Sequence, residues 1–145
     1  MSPKREDIYP RVSVRLWREE RRLLELMVER SDLSFSEAFR AGLRLLAERA
    51  PELPIERDLT HQPSRRVGMS FMVNSWDEVL IAQTLTRWKD TGAKKVGESA
   101  LMRTALALLA EEFPEMAAQA RRDTLIERAA QLRDELASIE KELGP

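Results

Sequence analysis

The sequence predicts a mainly α-helical fold built around a two-stranded antiparallel β-ribbon, in which two strand–helix–helix repeats close on each other as an intramolecular pseudo-dimer and a long helix follows. Three observations carry this expectation. The run Arg11-Val12-Ser13-Val14-Arg15-Leu16 alternates polar and apolar side chains without a break, the period of a half-buried strand. A six-residue strand is not stable alone, and its partner run, Arg66-Val67-Gly68-Met69-Ser70-Phe71-Met72-Val73, lies far along the chain. Each run then leads into two helical patterns, so the same order of elements occurs twice.

In chain order, residues 1–10 read as a flexible arm with a basic start, and residues 11–50 as the first repeat. Its first helix, Trp17 to Arg30, sets Leu23, Leu24, Met27 and Val28 on one face, with Arg and Glu expected on a solvated opposite face. The second helix opens with the capping box Ser34-Phe35-Ser36-Glu37, in which hydroxyl and carboxylate each satisfy an orphan backbone N–H. Its apolar face runs through Ala38, Phe39, Gly42, Leu43 and Leu46. Residues 51–65 form a linker with prolines at 51, 54 and 63, where His61 is expected in solvent. The second repeat spans 66–112: a strand, a capping box at Ser75-Trp76-Asp77-Glu78, a helix to about Asp90, and a helix from Gly97 to about Glu112. The first of these helices offers Val79, Leu80, Ala82, Leu85 and Trp88 for burial; the second offers Leu101, Met102, Ala105, Leu106 and Leu109. Trp17, Trp76 and Trp88 read as packing residues. In the last helices, Ser36-Glu37-Ala38-Phe39-Arg40-Ala41-Gly42-Leu43 aligns with Ser99-Ala100-Leu101-Met102-Arg103-Thr104-Ala105-Leu106.

Composition narrows the function classes. Of 145 residues, 34% are charged and 43% hydrophobic, the balance of an ordinary globular chain. No apolar run is long enough for a membrane span, and the start carries no apolar signal segment. Cysteine is absent and histidine occurs once, which argues against disulfides, a protein-ligated zinc, a cofactor held by such ligands, or a histidine-centred catalytic site. A cytoplasmic protein without enzymatic activity is the expectation. The formal net charge of −1 hides a local basic cluster, Lys4, Arg5, Arg11, Arg15, Arg65 and Arg66, on and beside the strands.

VSVRL, a helix, then SFSEAFRAGLRLL resembles the ribbon–helix–helix family of DNA-binding proteins, the family of the Arc and methionine repressors; VGMSFMV and VGESALMRTALALL resemble it as a second copy. The resemblance covers roughly residues 11–112 and is similar to the tandem members among relaxosome accessory proteins of conjugative plasmids. It implies a ribbon lying in the DNA major groove, a shape that groove admits. With Val12, Val14 and Leu16 inward, the first strand presents Arg11, Ser13 and Arg15; with Val67, Met69, Phe71 and Val73 inward, the second presents Arg66, Gly68, Ser70 and Met72. The expected base readers are therefore Arg11, Ser13, Arg15, Ser70 and Met72, with most contacts from the first strand. Phosphate anchors are expected at the N-termini of the second helices, Ser34, Phe35 and Ser36 and their counterparts Gly97, Glu98 and Ser99. Glu98 opposes a phosphate there, whereas Lys4, Arg5, Arg65, Arg66, Lys94 and Lys95 favour one.

Residues 113–145 read as one more helix, opened by Pro114 and about 45 Å long. Leu125, Ala129, Leu132, Leu136, Ile139 and Leu143 recur at alternating four- and three-residue spacing, the seam of a coiled coil. Two readings stay open: a helix folded back on the domain, or an element of self-association making a homodimer. The functional expectation is a site-specific binder of double-stranded DNA, associated with nucleoid or plasmid, acting as a transcriptional repressor or a nucleoprotein of a mobile element. The alternatives are an antitoxin whose last helix docks a toxin, and a coiled-coil adaptor for a protein partner that does not bind DNA.

Overall fold

The computed structural model describes residues 11–55, 67–92 and 96–144. It is mainly helical, with a single two-stranded antiparallel sheet among the described residues. The elements are β1 (Arg11–Leu16), α1 (Arg18–Ser31), α2 (Phe35–Arg49), β2 (Val67–Met72), α3 (Ser75–Asp90), α4 (Glu98–Glu112) and α5 (Pro114–Leu143).

The strands pair as the alternation requires, Arg11 opposite Met72, Ser13 opposite Ser70 and Arg15 opposite Gly68. Val12, Val14 and Leu16 are buried, as are Phe71 and Val73, while Met69 is half-buried against the core. Phe71 stacks on Phe39 of α2 with ring centroids 4.3 Å apart, which fastens the ribbon's inner face to the helices. Beneath it α2 and α4 cross closely. An added Cβ at Gly42 would fall 3.0 Å from Leu109 Cδ1, 3.1 Å from the Ala105 carbonyl oxygen and 3.2 Å from Ala105 Cβ. Only a residue without a side chain leaves the two helix backbones this near each other.

Helix starts are fixed by side chains. Ser34 Oγ accepts the Glu37 N–H at 3.1 Å and Glu37 Oε1 accepts the Ser34 N–H at 3.2 Å, the capping box expected there. The second box is displaced by one residue from its expected place: Asn74, not Ser75, is the cap, with Asn74 Oδ1 and Asp77 Oδ2 exchanging bonds with the Asp77 and Asn74 N–H groups. Asparagine caps as well as serine, and Val73, buried just past β2, leaves Asn74 as the first free position.

Three expectations about faces change. In α3, Val79 and Ala82 are exposed, whereas Asp77, Ile81 and Thr84 are buried, as is Trp88. Apolar residues run almost all round this helix, so periodicity alone selects no single stripe and packing decides. Trp76 is 49% exposed and so is not a core residue. In α1, Glu19 and Glu20 are buried instead of solvated, and Leu26 joins the core. The cover on α1 is α5, whose first half lies along it through the Arg18–Glu127 (3.1 Å) and Arg22–Asp123 (2.9 Å) ion pairs with Ala120 and Thr124 buried beneath.

The described start of the linker is held rather than free. The Pro51 carbonyl accepts from Trp88 Nε1 at 2.9 Å and Arg87 Nη2 at 3.2 Å, and the Ile55 N–H donates to Thr104 Oγ1 at 3.0 Å. Among the described residues no helix is long and apolar enough to cross a membrane.

Candidate nucleic-acid interface

The outer face of the ribbon is a short polar plateau. Arg11, Ser13 and Arg15 are exposed on β1, and Gly68, Ser70 and Met72 on β2. At its centre Ser13 Oγ and Ser70 Oγ lie 3.0 Å apart, one hydroxyl donating to the other. Each hydroxyl has one proton and two lone pairs, so the pair still has acceptor and donor capacity facing outward. The register puts the two guanidinium groups at opposite ends, Arg11 beside Met72 and Arg15 beside Gly68. Gly68 has no side chain, and an added Cβ there would meet only open space, so no cross-strand side chain stands opposite Arg15 as Met72 stands opposite Arg11.

Helix N-termini flank this plateau at both ends. At the Met72 end, Ser36 Oγ accepts the Met72 N–H at 3.1 Å, tying the first turn of α2 to the edge of β2. Ser34, Ser36, Glu37, Arg40, Met72 and Asn74 line an open depression there. At the other end, Ser99 in the first turn of α4 lines a depression together with Ser13, Arg15, Gly68 and Ser70. Helical geometry leaves the Phe35 and Ser36 N–H groups without an intrahelical acceptor, since the box already uses that of Glu37. The same geometry applies after the Gly97 cap of α4. Orphan N–H groups with the positive end of the helix dipole suit an anionic oxygen.

Two buried carboxylates set the position of this frame. Glu20 Oε1 accepts the Trp17 N–H at 2.8 Å, and Glu20 Oε2 lies 3.7 Å from Arg103 Nε of α4, whose guanidinium also sits 6.0 Å from the Trp17 ring centre. Asp77 Oδ2 accepts the Asn74 N–H at 2.9 Å and lies 3.2 Å from Arg40 Nε of α2. Each carboxylate thus closes the start of a helix next to the ribbon and holds an arginine from the later helix of the other half. Sequence reading placed Asp77 in a capping box and Arg40 and Arg103 in the aligned segments, but missed both pairings and the part played by Glu20. The signal was present: Arg40 and Arg103 are the charged pair within the aligned octapeptides, and Glu20 and Asp77 stand third after their caps.

Of the remaining expected anchors, Ser34 and Gly97 are exposed caps, Ser36 and Ser99 are half-buried at the ribbon ends, and Phe35 is half-buried against the core, leaving its backbone as the useful group. Glu98 is exposed beside Ser99. Lys4, Arg5, Arg65, Arg66, Lys94, Lys95 and His61 lie outside the described residues. No group of histidine and carboxylate side chains that could hold a metal ion occurs among the described residues. Models of known protein families, curated proteins and solved structures all give no match to this chain.

Proposed function

We propose that this chain is a tandem ribbon–helix–helix protein that binds a specific site in double-stranded DNA, laying its ribbon in the major groove, as a transcriptional repressor or as a nucleoprotein component of a plasmid or other mobile element. The observation that carries the reading is the reciprocal arrangement about the Ser13–Ser70 pair. Glu20 of one half meets Arg103 of the other, Asp77 meets Arg40 in return, and the aligned residues Gly42 and Ala105 meet each other where α2 and α4 cross. A two-fold relation between two strand–helix–helix units produces all three pairings together. It also brings Ser36 and Ser99, aligned in sequence, to opposite ends of one ribbon.

In this reading Arg11 and Arg15 are the principal base readers. A guanidinium bonds guanine O6 and N7 through two parallel N–H donors, worth about 1–3 kcal/mol of discrimination for each good pair. Ser13 and Ser70 read the central step, and Met72 offers an apolar surface to a thymine methyl. The N-termini of α2 and α4 clamp phosphates on either side and set the register.

Selection from a random duplex library, the natural chain beside Arg11→Ala/Arg15→Ala, tests this. Both side chains are exposed, so the variant keeps its thermal stability and loses enrichment of the discrete site. Affinity of the natural chain falls with salt by about 0.9 log units per phosphate contact for each tenfold increase. No enrichment at low salt overturns the reading. That outcome favours a second one, a protein adaptor working through the exposed apolar side chains of α5. With DNA binding retained, docking of a toxin on those same side chains would make the chain an antitoxin-type regulator.

A further inference from the structure

From Leu125 onward, α5 carries an apolar stripe that the described residues leave uncovered. Leu125, Leu132, Leu136, Ile139 and Leu143 are 44%, 47%, 56%, 54% and 79% exposed, and Ala129 between them is exposed too. At roughly 100° per residue, the stripe centres about 150° around the helix from the face formed by Ala120, Asp123, Thr124 and Glu127. That second face is the one lying on α1. The stripe therefore points away from the domain, and no folding back of this helix covers it without giving up the Arg18–Glu127 and Arg22–Asp123 pairs. Its spacing of four and three residues is the seam of a two-stranded coil.

The charges flanking the seam discriminate between the two ways a second copy can lie along it. In a parallel pair, the residue preceding one seam position faces the residue five further on in the partner. Arg128 would then meet the partner's Arg133, and Glu135 the partner's Glu140, on both sides of the coil: every flanking contact joins like charges. In an antiparallel pair of full length, the layers are Leu125 with Leu143, Ala129 with Ile139, and Leu132 with Leu136, each occurring twice. Arg128 then faces Glu142 of the other copy at both ends. The like contacts that remain, Arg133 with Arg133 and Glu135 with Glu135, fall at the dyad. We infer that two copies of this chain associate through antiparallel pairing of residues 125–143 of α5. The small-against-large layer of Ala129 and Ile139 fills the seam evenly, whereas a parallel pair would set Ala129 on Ala129 and leave that layer thin.

The association holds whether or not the ribbon binds DNA. If it does, the two ribbons sit at opposite ends of a rod, and the protein engages two sites on one duplex or on two.

The chain has no cysteine, so single replacements give a clean readout. Leu125→Cys and Leu143→Cys are prepared separately and mixed, and each sample is oxidised mildly. A disulfide-linked species confined to the mixture, joining position 125 to position 143, is the expected result. Disulfides within each separate variant would show a parallel pair and overturn the inference. Sedimentation from about 1 to 200 μM should show a reversible dimer that Leu132→Glu/Leu136→Glu weakens at least tenfold, with no change in melting temperature at concentrations where the natural chain is monomeric, because both leucines are exposed in the single chain. A monomer throughout that range, or a dimer indifferent to the glutamates, would equally overturn it.

Discussion

Replacing Gly42 with alanine opposes two effects of known size. A glycine in a helix interior costs roughly 1 kcal/mol relative to alanine, so the substitution should stabilise α2 if the side chain met nothing. The new methyl instead meets Leu109 Cδ1 at 3.0 Å, the Ala105 carbonyl oxygen at 3.1 Å and Ala105 Cβ at 3.2 Å. The leucine tip can turn aside. The carbonyl cannot, because it belongs to the backbone of α4, and separating the helices would loosen Leu43, Leu46, Leu101 and Leu106, all buried around the crossing. Forcing a methylene-sized group into a packed contact costs about 1–3 kcal/mol, so the net result is a loss of about 1 kcal/mol. For a chain of this size that lowers the melting midpoint by roughly 3–4 °C. The assay is urea unfolding followed by circular dichroism, reading the midpoint at unchanged slope. Combining Gly42→Ala with Ala105→Gly removes one of the three contacts, and the pair should cost about 0.5–1 kcal/mol less than the sum of the singles. A Gly42→Ala protein stabilised by about 1 kcal/mol would refute the reasoning, since it would mean that propensity alone operates and the crossing has room to spare.

Asp77→Ala removes both the partner of Arg40 and the carboxylate that closes the start of α3, while Asp77 is 1% exposed. Equilibrium unfolding should register a loss of about 2–3 kcal/mol, and Asp77→Asn, which keeps an acceptor for the Asn74 N–H, a smaller one. The docking of α5 on α1 should weaken in acid. The hydrogen bond from Arg22 holds the Asp123 carboxyl below its ordinary value, aided by Gln119, and the same bond raises Arg22, which stays protonated throughout. A depressed carboxylate contributes stability in full above its unfolded value, near pH 3.9, and loses it as pH falls through the lower folded value. Amide protection in α5, taken as the observed exchange rate against the intrinsic rate at the same pH, should therefore fall below about pH 4 in the natural chain, and Asp123→Asn should show lower protection at neutral pH with a flatter acid limb. Equal acid limbs in the two proteins would remove the pair from the account.

The ribbon was legible in the sequence because its two faces see different solvents. Val12, Val14 and Leu16 alternate with Arg11, Ser13 and Arg15, and an extended strand with one buried face sorts those six side chains between core and solvent. The partner strand follows from the same rule: an unpaired strand has a row of unmet backbone groups, and Val67 to Met72 is the run whose alternation places Phe71 inward and Ser70 outward. Capping residues were legible for a related reason, since Ser34 and Glu37 act on N–H groups within three residues of themselves. The spacing of the stripe on α5 was readable too, but not which way the helix lies: its first half docks on α1 while the stripe stays exposed.

Tertiary structure alone decided what depends on distant neighbours. Nothing local tells α3 that Ile81 and Thr84 are buried and Val79 is not, because apolar residues surround the helix and the choice belongs to the elements packed on it. Glu19 and Glu20 look like solvated charges until α5 lies over α1 and Arg103 arrives from α4. The pairing of Glu20 with Arg103 and Asp77 with Arg40 spans long stretches of chain, where charge complementarity is common and specifies nothing by itself. Burial makes it specific, since a carboxylate withdrawn from water keeps its charge only beside a donor that the fold has brought to it.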